Sequence, residues 1–321
     1  MLNCTKLRKL KYLLDCKKDS AYNQIGKNDR AENRKGRRLT YQAGLVLEGG
    51  GMRGIYTAGV LDFFLEKNIT FSSCYGVSAG ACHLCSFMSG QTGRAYRVGV
   101  NYLEDKDYCS LKSLLTTGDL FGVDMCYNRI PNELEPYDYE AAECYPGKCY
   151  AVATNIETGL PEYLRMKDMH KDTVAVRASA SLPLVSRNVK IGDRLYLDGG
   201  IADAIPIQKS ILSGNRKNVV IMTKEVGYRR KPSGQLGLIR MRYARYPKVY
   251  ELMKNRHIRY NATLDYLAEQ VKNGQAFLIQ PKKDSGIGRI EKDKNKLHAL
   301  YLEGYQDAEN CYEELLGYLK G

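Results

Sequence analysis

A chain of 321 residues with 44% apolar side chains can bury a substantial core, which excludes a disordered protein. The formal charge of +13 points to a polyanionic partner or surface, but it is unevenly placed. Residues 1–38 hold 12 basic and 4 acidic residues (+8), and residues 226–260 hold 10 basic residues and one acidic, Glu251 (+9), so the remainder carries 13 − 17 = −4. The basicity is therefore expected at the periphery and not at the chemistry.

Ten cysteines in a chain with no secretory pattern read as reduced thiols. No apolar run has membrane-spanning length, so the expectation is a cytoplasmic protein, with peripheral contact at the inner face of a membrane. Residues 1–38 read as a basic tail, in which Leu7, Leu10, Leu13 and Leu14 allow a turn or two of amphipathic helix.

From Ala43 the texture changes. A short apolar run ends at Gly49, Gly50 and Gly51, and Ile55 to Lys67 follows with helical apolar spacing at Val60, Leu61, Phe64 and Leu65. The pattern repeats at once: strand Thr70 to Tyr75, a tight turn Gly76 to Gly80, and an apolar helix Ala81 to Ser89. Two successive strand-turn-helix units predict a parallel sheet covered by helices.

A strand at Cys149 to Asn155 precedes a helix at Val174 to Ala180 and an alternating hairpin, Asn188 to Leu197, that turns at Gly192 and Asp193 and ends on Asp198, Gly199 and Gly200. Another apolar strand, Asn218 to Thr223, closes the expected core. Beyond it the chain is Tyr-rich, basic and mainly helical, interrupted by a strand at Ala276 to Gln280. The expected divisions are a tail (1–38), a catalytic core (39–225) and a helical extension (226–321).

Gly76, Val77, Ser78, Ala79 and Gly80 fit a nucleophile elbow, in which small residues permit a sharp strand-to-helix turn that presents the serine hydroxyl. Gly49, Gly51 and Gly54 also satisfy the spacing of a dinucleotide fingerprint, but the acidic residue due about 20 positions on is absent from Phe71 to Tyr75. The loop Gly49, Gly50, Gly51, Met52, Arg53, Gly54 instead suits an oxyanion hole, its backbone N–H groups converging on a developing negative charge.

A serine needs a base. His83 follows Ser78 on the same helix and points away, and His170 lies in a polar loop. His257 and His298 follow Asp198 in the chain order of an α/β-hydrolase triad, which leaves that alternative open, although both sit in basic helical stretches where exposure is expected. Asp198 ends a strand before two glycines; taken by itself, that is a turn signal.

Taken in this order, the Gly49 to Gly54 loop, the Gly76 to Gly80 elbow and the Asp198 to Gly200 block resemble the three signature blocks of the patatin-like phospholipase family. The resemblance covers about Ala43 to Ile207 and extends to Val152 to Asn155, to Thr158 with Gly159, and to Ala178 to Pro183. It implies a three-layer α/β/α sandwich with a mainly parallel sheet, hydrolysis of fatty acyl esters of phospholipids or lysophospholipids, and a Ser78–Asp198 dyad without histidine. Oxyanion donors then come from the loop backbone, with Arg53 at the family's basic position. No cofactor and no metal are implied. Asp203 stands where many members have Asn, which bears on acyl-chain preference. The extension is similar to one in a bacterial branch of the family.

Cys82 and Cys85 have metal-ligand spacing but no second pair, and read as buried thiols. The stretch Arg240 to Tyr260 could present Tyr243, Tyr246 and Tyr250 to nucleic acid, but a lipid-headgroup surface suits an acyl hydrolase better, so no nucleic-acid partner is expected. A non-catalytic protein that docks on an anionic surface is the rival class.

Overall fold

The computed structural model describes residues 39–321, so the basic tail expected at 1–38 lies outside the described residues. Eight strands form one mixed sheet: β1 (Leu39–Leu47), β2 (Ile69–Val77), β3 (Lys148–Asn155), β4 (Pro161–Met166), β5 (Val189–Ile191), β6 (Arg194–Asp198), β7 (Asn218–Ile221) and β8 (Ala276–Ile279). Their order is β5-β6-β3-β2-β1-β7-β8, with β4 paired to β3. The run β3-β2-β1-β7-β8 is parallel, whereas β4, β5 and β6 enter antiparallel.

Alternation along the strands divides the core in two, because successive side chains leave a strand on opposite faces. Leu45, Leu47, Cys74, Ala151 and Val219 pack into one cluster, while Val46, Tyr75, Val77, Val152 and Val220 pack into another. Both sets are buried, so these strands read as continuous apolar runs, as parallel strands covered on both faces do. This is the expected α/β sandwich.

Helix α1 (Ile55–Glu66) carries the expected apolar spacing, and every residue from Ile55 to Phe64 is buried. The second cover comes from α5 (Lys294–Asn310), numbering α2 (Ala79–Ser89), α3 (Met169–Ser179) and α4 (Arg256–Lys272) between them. The two helices cross where neither can carry a side chain: a Cβ on Gly59 would lie 2.1 Å from the Tyr301 carbonyl oxygen, and one on Gly304 2.1 Å from that of Tyr56. Tyr56 donates to Asp307 and Tyr301 to Asp62, each at 2.8 Å, and Phe63 meets Tyr305 and Tyr312 edge-on. The extension thus supplies both an edge strand, β8, and the lid on α1.

Strand β4 and the helices Arg94–Val100, Leu111–Thr117, Met125–Leu134 (a wide π-type helix) and Tyr139–Glu143 were not foreseen. The helices are short, and β4 folds straight back onto β3 through residues 156–160.

Candidate active site

The elbow forms where β2 runs into α2. Ser78 takes φ 55° and ψ −122°, a positive φ that a side-chain-bearing residue adopts at a cost of about 1–3 kcal/mol and that turns the hydroxyl out of the sheet. Tertiary bonds hold it there. The Ser78 N–H donates to the Ser179 hydroxyl at 2.9 Å, and Gly49 lies so close that a Cβ on it would come within 2.8 Å of the Ser78 Cβ.

Asp198 reaches the same place along β3. Strand β4 occupies one edge of β3 from Cys149 to Thr154, so β2 and β6 must share the other edge end to end. Val77 pairs with Val152 and Asp198 with the next residue, Ala153, which brings the C-terminal ends of β2 and β6 together. The Asp198 backbone is fixed on both sides: its N–H donates to the Ser181 carbonyl at 2.7 Å and its carbonyl accepts the Thr154 hydroxyl at 2.8 Å. Thr154 and Ser179 both belong to the secondary blocks of the resemblance, so those segments hold the backbones of Asp198 and Ser78.

Of the Asp198 carboxylate oxygens, Oδ1 accepts the Gly200 N–H at 2.7 Å, and Oδ2 is buried without a hydrogen-bond partner. Burial pushes this carboxyl up from the usual range, while the Ser78 hydroxyl, Arg256, the Gly200 N–H and Arg289 draw it back. The result is a desolvated carboxylate beside the Ser78 hydroxyl.

Gly49, Gly50 and Gly51 line a cleft together with Ser78 and Asp198. Among the described residues their N–H groups have no acceptor. Met52, expected to join them as an oxyanion donor, departs from that pattern: its side chain is buried and its N–H donates to the Arg289 carbonyl at 3.0 Å. Arg53 lines the cleft and donates to the Ile287 carbonyl at 3.2 Å, and Gly54 lies against His83. Below the loop, the Thr223 hydroxyl donates to the Gly49 carbonyl at 3.0 Å, and buried Glu48 accepts the Thr223 N–H at 2.8 Å and the Tyr260 hydroxyl at 2.5 Å.

No histidine lines the cleft. His83 is packed beside Gly54, and burial lowers its imidazole to about 4. His170 stacks on Tyr139. His298, expected to be exposed, is half-buried, and its Nδ1 lies 2.9 Å from the Tyr96 hydroxyl; His257 is likewise half-buried.

Burial raises the thiols of Cys82 and Cys85, and all eight cysteines among the described residues are free. The reading of Tyr243 as a surface platform is overturned: it is 1% exposed and packs with Ile239, Val249 and Met253. Asp203 accepts the Tyr163 hydroxyl at 2.7 Å.

Sequence reasoning missed Arg230, Arg256 and Arg289, which line the cleft from the extension. The expectation that basic residues stay at the periphery is therefore wrong. Their charge was visible in the sequence, but no motif marks their position. Arg256 donates through Nε to the Gly200 carbonyl at 2.6 Å, two residues from Asp198.

Among the described residues, no helix is long and apolar enough to cross a membrane. The family model for patatin-like phospholipase matches residues 45–210, and a domain of unknown function (DUF6363) matches residues 246–320. The uncharacterized protein YjjU of Escherichia coli K12 is 35% identical over 184 residues, 56% of this chain and 51% of that protein. The probable lipid hydrolase 463L of Invertebrate iridescent virus 6 is 25% identical, covering 56% of this chain and 66% of its own length.

The uncharacterized protein YqhO of Bacillus subtilis is 26% identical over 74% of this chain and 91% of its own length. The alignments thus span about half of the first relative and two thirds of the second. Among solved structures, VipD from Legionella pneumophila matches with a TM-score of 0.42 and 15% identity, over 85% of this chain and 67% of its own. With the glycine loop, the serine elbow and the aspartate block all inside the matched region, the chain belongs to the patatin-like phospholipase family.

Proposed function

We propose that the protein is a serine acyl hydrolase that cleaves fatty acyl esters of lipids through Ser78 and Asp198. The observation that carries this reading is the pairing of a serine held at positive φ with a buried aspartate whose Oδ2 is unpartnered, in a cleft that no histidine lines.

In this reading the Ser78 hydroxyl attacks the ester carbonyl carbon as its proton passes to Asp198 Oδ2. The N–H groups of Gly49, Gly50 and Gly51 receive the oxyanion; losing one such donor typically costs about 3–4 kcal/mol. The tetrahedral intermediate collapses, the C–O bond to the alcohol breaks, and Asp198 returns the proton to the departing oxygen. Water then gives a proton to Asp198 and attacks the acyl-Ser78 ester, and Ser78 leaves as it takes that proton back. The Gly200 N–H holds Oδ1, which leaves Oδ2 for the proton.

Contact with an anionic lipid surface fits the basic charge of residues 1–38 and 226–260 and would raise local substrate concentration. Turnover of a short-chain nitrophenyl ester tests the hydrolase reading. Wild type should turn it over and Ser78→Ala should not; equal rates would discard Ser78 as the nucleophile.

A further inference from the structure

Three segments of the extension each send one guanidinium to the cleft of Ser78: Arg230 from the chain after β7, Arg256 from the start of α4, and Arg289 from the segment before α5. With Arg53 they set four positive charges against Glu48 and Asp198, so the lining residues carry 4 − 2 = +2. Both Glu48 oxygens accept from neutral donors, Thr223 and Tyr260, and neither is paired with an arginine among the described residues.

Among the described residues, the arginines that form ion pairs are Arg97, Arg129, Arg177, Arg187, Arg194 and Arg229, none of which lines the cleft. The cationic groups are also close to the base: a Cβ on Gly200 would lie 3.0 Å from Asp198 Oδ1 and 3.1 Å from Arg256 Nη2. Burial, and then repulsion from Arg230, lowers the Arg256 guanidinium to about 10, and the same two causes lower Arg289. A bound anion would relieve the repulsive part of this.

We infer that Arg230, Arg256 and Arg289 form a phosphate-binding subsite beside Ser78, and that the preferred ester carries a phosphate a few bonds from its scissile carbonyl and no neutralising cation. The inference rests on the reading of Ser78 as an acyl-ester nucleophile. Guanidinium groups suit phosphate because their planar forks meet its oxygens two at a time. A carboxylate needs only one such fork, whereas three that converge match a group with more oxygens. A choline-type headgroup would bring a further cation into a cleft that already carries an excess of two.

The substitutions to make are Arg230→Gln and Arg289→Gln. Arg230 stacks on Tyr260 at 4.1 Å, and the contact of Arg289 with Met52 is made through its backbone, so neither side chain makes a hydrogen bond on which the fold depends. Wild type should show kcat/KM at least about tenfold higher for lysophosphatidate than for the monoacylglycerol or lysophosphatidylcholine of the same chain, and each substitution should lower that ratio by about tenfold or more. That result assigns the subsite to a lipid headgroup.

Binding of inorganic phosphate to the Ser78→Ala protein, followed by calorimetry, provides a readout independent of turnover. No headgroup preference, together with phosphate binding that the arginine substitutions weaken, assigns the subsite to free phosphate. Neither preference nor binding overturns it. If Ser78 proves inert toward esters, the hydrolase reading fails and calorimetry still decides the subsite.

Discussion

The Ser179 hydroxyl accepts the Ser78 N–H at 2.9 Å, across 101 residues of chain, and Ser179 is itself fully buried. Ser78 is thereby tied to the same segment whose Ser181 carbonyl accepts the Asp198 N–H. One short stretch, from the last residue of α3 to Ser181, holds both Ser78 and Asp198.

Ser179→Ala should therefore act as a positioning change. It leaves a buried N–H unpaired, which costs about 1–3 kcal/mol, and it frees the elbow to relax from positive φ. Steady-state kinetics should show kcat reduced by about tenfold or more with little change in KM. A variant that is less stable but has unaltered kcat would limit Ser179 to a packing role.

Asp198 is held above the ordinary carboxylate range, first by burial. The sign follows: the folded state binds this proton more tightly than the unfolded chain, so Asp198 contributes stability at low pH that is lost as pH rises through its folded value. Asp198→Asn should abolish turnover while leaving the melting temperature at pH 7 equal or higher. The acid limb of kcat/KM should lie above the usual aspartate range, because the base must be ionised to accept the Ser78 proton. A destabilised Asn variant would contradict this.

A second buried carboxyl titrates away from the site. Burial raises Asp62 to about 6, against 3.8 for a free aspartate, despite its bonds to Gly93 and Tyr301. That rise corresponds to about 3 kcal/mol, which is lost between pH 4 and pH 7 as the group is forced to ionise in the interior. Asp62→Asn should raise stability to denaturant at pH 8 by up to that amount and by little at pH 4. The difference between the two pH values is the quantity to measure.

Substitution of His257 or His298 by Ala should retain most ester turnover, since neither lines the cleft and His298 faces Tyr96. Loss of activity with either would revive the triad.

Most of the sheet was legible because β1, β2, β3 and β7 are apolar runs bounded by glycine turns, and the hairpin turns at Gly192 as its alternation predicts. The residues of the site could be read because sharp turns and close backbone approach restrict which residues fit. The arginines of the cleft could not be found in that way. Arg230, Arg256 and Arg289 are spread over 60 residues of chain and meet only after β8 joins the sheet and α5 closes over α1. Local pattern registers their charge but not their convergence. Tyr243 was misplaced for a related reason: basic neighbours on a short helix suggested a surface, while its ring fills a core built from residues beyond the turn.

The account turns on Ser78 being activated by Asp198 alone. Fluorophosphonate labelling of wild type and Asp198→Asn, mapped to the modified peptide by mass spectrometry, tests this most directly. The account predicts an adduct on Ser78 in wild type that is lost or strongly reduced in Asp198→Asn. No adduct on Ser78, or undiminished labelling without the carboxylate, would contradict it.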